Sequence, residues 1–330
     1  MRKVLYTSTA LVLASASFAA AEVTLSGGAE MGIVGGEGDD VDTQFFQDMD
    51  IDFTAVGETD GGLAYGANVD LDEAGNLGDE LTDQGVDIFI SGSFGTLTMG
   101  DTDGALDFVM QEANAGSPGS IADDETVHPG YFGAYHDGAG AYDGQIVRYD
   151  YTFDAFTFAL SVEQAGGDDG DVNTTVPEDI DPGFAVGAGY DTEFGGTAVG
   201  IGVGFQSVAE DALGAGADAA EIFGVSADVS TGGLSAAIQV TGGDVNGRED
   251  SIHVGVGASY TFDAFTGHVN FGQFDYDDDS SASGVGVALG YDLGGGAELL
   301  FGYGDGEFED AAGNTTDYDS TFSFGLSLAF

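Results

Sequence analysis

The chain has 330 residues, 59 of them acidic against four Lys or Arg, for a formal net charge of −55. So few cations could not neutralise phosphate, which excludes a nucleic-acid partner, and the absence of cysteine excludes disulfides and thiolate metal sites. Gly is abundant at 58 residues while Pro is scarce at 4, and 24 Phe with 13 Tyr argue for packed or lipid-facing structure rather than disorder.

Met1-Arg2-Lys3, a mostly apolar run from Val4 to Phe18, and Ala19-Ala20-Ala21 form the three regions of a secretory signal peptide. Residues 1–21 are expected to be cleaved, leaving a mature chain of 22–330 that keeps only Arg148 and Arg248 as cations. No later segment is apolar over the roughly twenty residues a spanning helix needs.

From Glu22 onward, segments of about ten residues with alternating apolar character follow one another to the end. Their connections alternate short and long. Short turns are predicted at Thr59–Gly62, Phe94-Gly95, Asp154-Ala155, Glu193–Gly196, Thr231–Gly233, Asp263-Ala264 and Gly294–Gly296, where Gly and Asp suit tight hairpins. Longer polar loops are predicted near 36–43, 73–85, 101–144, 165–182, 209–220, 243–250, 277–283 and 305–319. Seven short and eight long connections imply sixteen strands with both termini on the short-turn side. That is the layout of an all-β, antiparallel transmembrane barrel.

Several strands assign their faces. Met49, Ile51 and Phe53 oppose Asp48, Asp50, Asp52 and Thr54; Tyr65, Ala67, Val69 and Leu71 oppose Asn68, Asp70 and Asp72. In the sixth strand Val147, Tyr149, Tyr151 and Phe153 oppose Arg148, Asp150 and Thr152. On the lipid face Arg or Lys costs about 2–4 kcal/mol near the midplane and an acid somewhat less, so the alternating acids must line the inside. Sixteen strands enclose a barrel too wide for side chains to fill, and an aqueous channel remains. Glu30, Asp48, Asp50, Asp52, Asp70, Arg148 and Asp150 are its expected wall.

The connection 101–144 is the longest, and loops of this length are usually functional. It carries Asp101, Asp103, Asp107, Glu112, Asp123, Asp124, Glu125 and Asp137 beside Leu106, Phe108, Val109, Met110, Tyr131, Phe132 and Tyr135. A loop bathed in solvent would not need those apolar anchors; one folded inward against the wall would.

The phrase Tyr151-Thr-Phe-Asp-Ala-Phe-Thr157 recurs as Tyr260-Thr-Phe-Asp-Ala-Phe-Thr266, each copy crossing a short turn. Its aromatic residues, with Tyr190 and Tyr291, fall where an interfacial girdle belongs. Asp168, Asp169 and Asp171 offer oxygen ligands for Ca²⁺, as do Asp275–Asp279, but neither stretch satisfies the EF-hand pattern. No cofactor is required on this reading. His128, His136, His253 and His268 are scattered, no HExxH or GxSxG occurs, and Gly200-Ile-Gly-Val-Gly204 sits mid-strand without a following helix. Enzymatic chemistry finds no support, and the small residues of 200–204 are expected to permit close packing of a loop or a neighbouring barrel. At the end, Phe322, Phe324, Leu326, Leu328 and Phe330 alternate with small or polar residues to the terminal Phe.

Glu22–Gly27 with Met31-Gly32, Gly57–Leu63, Phe89–Gly95 running to Met99-Gly-Asp101, Tyr291–Gly296 and the C-terminal strand together resemble the general diffusion porins of Gram-negative outer membranes, alphaproteobacterial type. The resemblance spans the mature chain apart from the external loops. It implies a homotrimer of sixteen-stranded barrels set in outer-membrane lipid and lipopolysaccharide, each narrowed by an inward-folded third external loop. It also implies acids on that loop facing arginines on the wall. Here the chain departs: Glu30, Asp48, Asp50 and Asp52 stand where the resemblance suggests basic residues, and Arg148 is the one plausible wall arginine. The expected function is therefore passive diffusion of small hydrophilic solutes and ions with cation selectivity. The alternatives are a substrate-specific channel of the same fold and a salt-adapted secreted β-rich binding protein.

Overall fold

A computed structural model describes residues 22–37, 42–74, 85–133, 145–164, 182–208, 220–245 and 248–330. The expected signal peptide, the end of the long connection (134–144) and the Ca²⁺ ligands Asp168, Asp169 and Asp171 lie outside them.

The strands are β1 (Glu22–Gly36), β2 (Gln44–Glu58), β3 (Ala64–Ala74), β4 (Val86–Gly92), β5 (Gly95–Gly100), β6 (Gln145–Phe153), β7 (Phe156–Gln164) and β8 (Gly183–Phe194). They continue as β9 (Thr197–Val208), β10 (Ala220–Thr231), β11 (Leu234–Val245), β12 (Arg248–Phe262), β13 (Phe265–Asp275), β14 (Ser281–Gly294), β15 (Ala297–Glu309) and β16 (Thr315–Ala329). One short helix, α1 (Ala105–Val109), lies between β5 and β6. Every strand pairs antiparallel with its neighbours in sequence, and β16 returns to β1. The closing pairs run from Gly28↔Ala329 to Gly36↔Thr321. Phe330 extends the seam, its amide donating to Gly27 O at 3.0 Å while the Gly27 amide donates to Phe330 O at 2.9 Å. Closure leaves no sheet edge unpaired, the condition for crossing a bilayer with strands.

The barrel is greasy outside and polar within. Met31, Met49, Phe53, Tyr149, Phe158, Leu160, Ile201, Val203, Phe271 and Phe324 are exposed on the outer face. On the opposite parity Ser226, Gln239, Thr241, His253, Asn270 and Ser323 are buried. Both copies of the repeated phrase fold alike. Asp154 (φ 56°) and Asp263 (φ 52°) take the left-handed conformation the two-residue turn demands. The flanking threonines meet across the hairpin at 3.0 Å, Thr152 with Thr157 and Thr261 with Thr266. Phe156 packs 4.8 Å from Tyr190, part of an aromatic belt at the short-turn end.

The seven short turns fall where the sequence places them. Three of the longer connections differ: the strands run on through much of 243–250, 277–283 and 305–319, so that β12 begins at Arg248 and 276–280 and 310–314 alone join β13 to β14 and β15 to β16. Polar alternation reads as loop because a strand rising above the lipid needs no apolar face, yet its backbone can still pair.

Candidate functional site

The long connection lies against the inner wall. The Ala105 amide donates to Ser161 Oγ on β7 at 2.8 Å, and the Gln111 amide to Ser226 Oγ on β10 at 2.8 Å. Ser259 Oγ on β12 donates to Ala115 O at 2.7 Å, Asn270 Nδ2 on β13 to Glu125 O at 2.7 Å, and Gln239 Nε2 on β11 to Phe132 O. Leu106 is fully buried in an apolar cluster with Ala159, Ala185 and Ile222, and Phe132 buries against Phe274. Ile121 reaches Gly32 and Gly325 beside the closing seam.

Glycine makes this contact close. A Cβ at Gly187, Gly202, Gly257, Gly272, Gly286 or Gly304 would collide with the carbonyl oxygen of Ala105, Val109, Ala113, Gly130, Glu125 or Asp124 respectively. The loop therefore rides on a track of bare backbone crossing β8, β9 and β12 to β15. The mid-strand glycines Gly202 and Gly204 belong to it.

Arg148, 8% exposed, fastens the loop's first residues. Its Nη1 donates to Thr102 Oγ1 at 3.0 Å and to Asp103 O at 2.7 Å, and its guanidinium lies 3.9 Å from the Phe108 ring centroid. Nε sits 3.7 Å from Asp150 Oδ1. All of these contacts run from β6 round to β16 and on to Gly32 of β1, leaving β2 and β3 on the open side of the lumen.

That side is acidic. Asp48, Asp50, Asp52 and Asp70 are half-buried on the inner parity of β2 and β3, with Glu30 on β1. In the sheet register Glu30 faces Asp48, Asp50 faces Asp72, and Asp52 faces Asp70. The pairs Glu30–Asp48 and Asp52–Asp70 form a negative band, and directly opposed like charges destabilise a sheet unless a counter-ion sits with them.

The loop acids divide. Asp101 and Asp103 are exposed and Asp123 is half-buried, while Asp107, Glu112, Asp124 and Glu125 are buried between loop and wall. Burial pushes the Asp124 carboxyl upward and drives Glu125, held by Ser120 Oγ, to about 7. The buried four are packing groups in this conformation; the carboxylates that meet water on the loop are the first three. Reasoning from sequence also missed that three of the histidines converge. His128, His253 and His268 all bury where the loop meets β12 and β13; His136 lies outside the described residues. Among the described residues no group of three or more His, Asp or Glu is arranged to hold a metal ion.

A family model describing Gram-negative porins matches residues 7–311. The chain belongs to this family. A porin from Rhodobacter capsulatus is 30% identical over 306 residues, covering 88% of this chain and 96% of the relative. Among solved structures, a porin refined at 1.8 Å resolution superposes with a TM-score of 0.68 at 24% identity, covering 94% of this chain and all of the other. A multiply substituted porin of Rh. blastica gives 0.64 at 18% identity with the same coverage. The porin is thus an outer-membrane channel and not an enzyme, and the closed barrel is the architecture of these relatives.

Proposed function

We propose that this porin is a cation-selective diffusion channel whose lumen is narrowed by residues 101–133 on the wall. The observation that carries the reading is the charge of the open arc. Glu30, Asp48, Asp50, Asp52 and Asp70 line it, and Arg148 is turned toward the loop's root. A single-sign lining inside low-dielectric walls concentrates counter-ions and repels anions. Small hydrophilic solutes pass by size. Homotrimeric assembly and lipopolysaccharide around the rim are proposed from family membership.

The test is a reversal potential across a planar bilayer under a salt gradient. Cation preference at about 0.1 M should weaken toward 1 M, where the Debye length is about 3 Å. Anion preference at low salt would overturn the proposal.

A further inference from the structure

The loop's contact with β12 and β13 is a connected network whose polarity is fixed. Ser259 Oγ gives its proton to Ala115 O, so toward His268 Nδ1, 2.8 Å away, it accepts, and Nδ1 carries the hydrogen. His268 Nε2 is then a lone pair, turned to Asn270 Nδ2 at 3.3 Å. That amide nitrogen also donates to Glu125 O, and Asn270 Oδ1 accepts from His128 Nε2 at 2.7 Å. His253 Nε2, 3.0 Å from Gly130 O, must donate because a carbonyl only accepts. These assignments follow from the partners alone.

His268 therefore holds one proton and one lone pair, and His128 and His253 carry their bonded proton on Nε2. A second proton would reside on Nδ1 of His128 or His253, and neither atom has a partner among the described residues. On His268 it would reside on Nε2, facing the amide hydrogens of Asn270. All three rings are at most 5% exposed.

We propose that Asn270, with Ser259, His268 and His253 on the wall and His128 on the loop, positions the constricting loop only while all three imidazoles are neutral, so that acid releases it. This rests on the porin reading above and adds the residues that set the constriction and the condition under which they hold.

The groups facing the network offer little compensation. On the loop these are Glu112, which accepts from Tyr131 and Asn114, together with Asp123, Asp124 and Glu125. From the wall come Tyr276, stacked on Phe274, and Glu298, beside Gly290. Burial has already pushed Asp124 and Glu125 upward, Glu125 to about 7, so on acidification Glu125 is neutral before the buried imidazoles gain charge. Burial holds His128 itself below its ordinary value. The negative lumen pulls the other way, favouring protonation. Loop ends remain tied at β5 and β6, so a released loop lies across the lumen and obstructs it.

The experiment is single-channel recording on the full-length barrel from about pH 8 down to about pH 3, a range that runs well below an ordinary histidine. Wild type should show discrete closures that set in on acidification and cut mean current by at least half. In His128→Gln/His253→Gln/His268→Gln, whose side chains cannot gain charge, the closures should vanish. Equal acid closure in both would assign the effect to the wall carboxylates and overturn the proposal, as would a wild type whose current does not change with pH. Channels absent at every pH would instead defeat the porin reading. If the triple variant fails to assemble, hydrogen exchange of the wild-type Gln111 amide decides. Corrected for intrinsic rates, its protection should be lost in acid, and unchanged protection would overturn the proposal.

Discussion

Glu30 on β1 and Asp48 on β2 are direct cross-strand partners, both on the lumen face, and the Asp52–Asp70 pair one strand over repeats the relationship. Opposed carboxylates repel, and a mobile cation between them relieves the repulsion. Replacing both members, Glu30→Gln with Asp48→Asn, should lower the cation-to-anion permeability ratio several-fold at about 0.1 M salt and hardly at all at 1 M. Asp48→Arg should go further, toward anion preference. Reversal potentials at the two salt levels check it; equal loss at both would mean the pore changed shape rather than charge.

Arg148 predicts the opposite dissociation. Its two hydrogen bonds and its ring contact all go to residues 102–108. Arg148→Gln should therefore loosen the loop's root at a cost of about 2 kcal/mol and raise open-channel noise, with a smaller change in selectivity than the Glu30/Asp48 pair. Arg148→Lys should recover the charge and not the noise, since an ammonium cannot span Thr102, Asp103 and the Phe108 face together. Full rescue by Lys would show that charge alone matters there.

The glycine track is testable by volume. A side chain at Gly257 meets Ala113 O, and one at Gly272 meets Gly130 O. Gly257→Val should lift the loop, costing about 1–3 kcal/mol by overpacking and altering conductance, while the barrel still assembles as judged by heat-modifiable gel migration. By contrast, Gly195 and Gly196 have nothing within 4 Å of an added Cβ, but their positive φ makes substitution there a strain on the turn alone. Conductance should respond to the first and not the second.

Much of the barrel was legible because its rules are local. Phe322 to Phe330 alternate without a break, and Asp154 and Asp263 announce tight turns, so strand count and facing follow from period two. The wall acids Asp48, Asp50 and Asp52 follow from the same period. What the loop does was only half legible. Leu106 and Phe132 betray a buried segment, but nothing local says which carboxylates turn inward. Asp107, Glu112, Asp124 and Glu125 read like Asp101 and Asp103 and differ only in where the chain turns. The histidine network joins positions more than a hundred residues apart, such as His128 and Asn270. Its one trace is that His253 and His268 share lumen parity. The track leaves a clearer mark: glycine at alternate inner positions, as in Gly284 with Gly286 and Gly302 with Gly304.

Glu125 gives a pH dependence of known sign. Its folded value is raised from about 4.5 to about 7 by burial. The loop's seat is then favoured by this group below about pH 4.5, and that contribution fades as pH rises to about 7, because the released carboxyl ionises more readily than the seated one. The effect is a few kcal/mol at most and opposes the histidines. Glu125→Gln should strengthen the seat at pH 8, leave it nearly unaltered at pH 4, and sharpen the acid closure. Hydrogen exchange of the Gln111 amide in the two proteins reads this directly; a weaker seat at pH 8 would refute it.

Gln206 on β9 is fully buried beneath the start of the loop, and among the described residues neither its Nε2 nor its Oε1 has a hydrogen-bond partner. A Cβ on Gly104 would come within 3.5 Å of Oε1, so the loop's backbone covers this amide closely. An amide withdrawn from water without replacement bonds costs about 1–3 kcal/mol. Methionine has similar length, bends to fit, and brings no such debt. Gln206→Met should therefore stabilise the loop-seated barrel by about 1–2 kcal/mol, read as a rise in the urea midpoint of unfolding from lipid vesicles with an unchanged slope. Gln206→Glu should do the reverse, since it buries a charge in the same place. If methionine instead destabilises the barrel, the amide is bonded to something that enters from the lumen, and Gln206 belongs to the channel rather than to the packing of its loop.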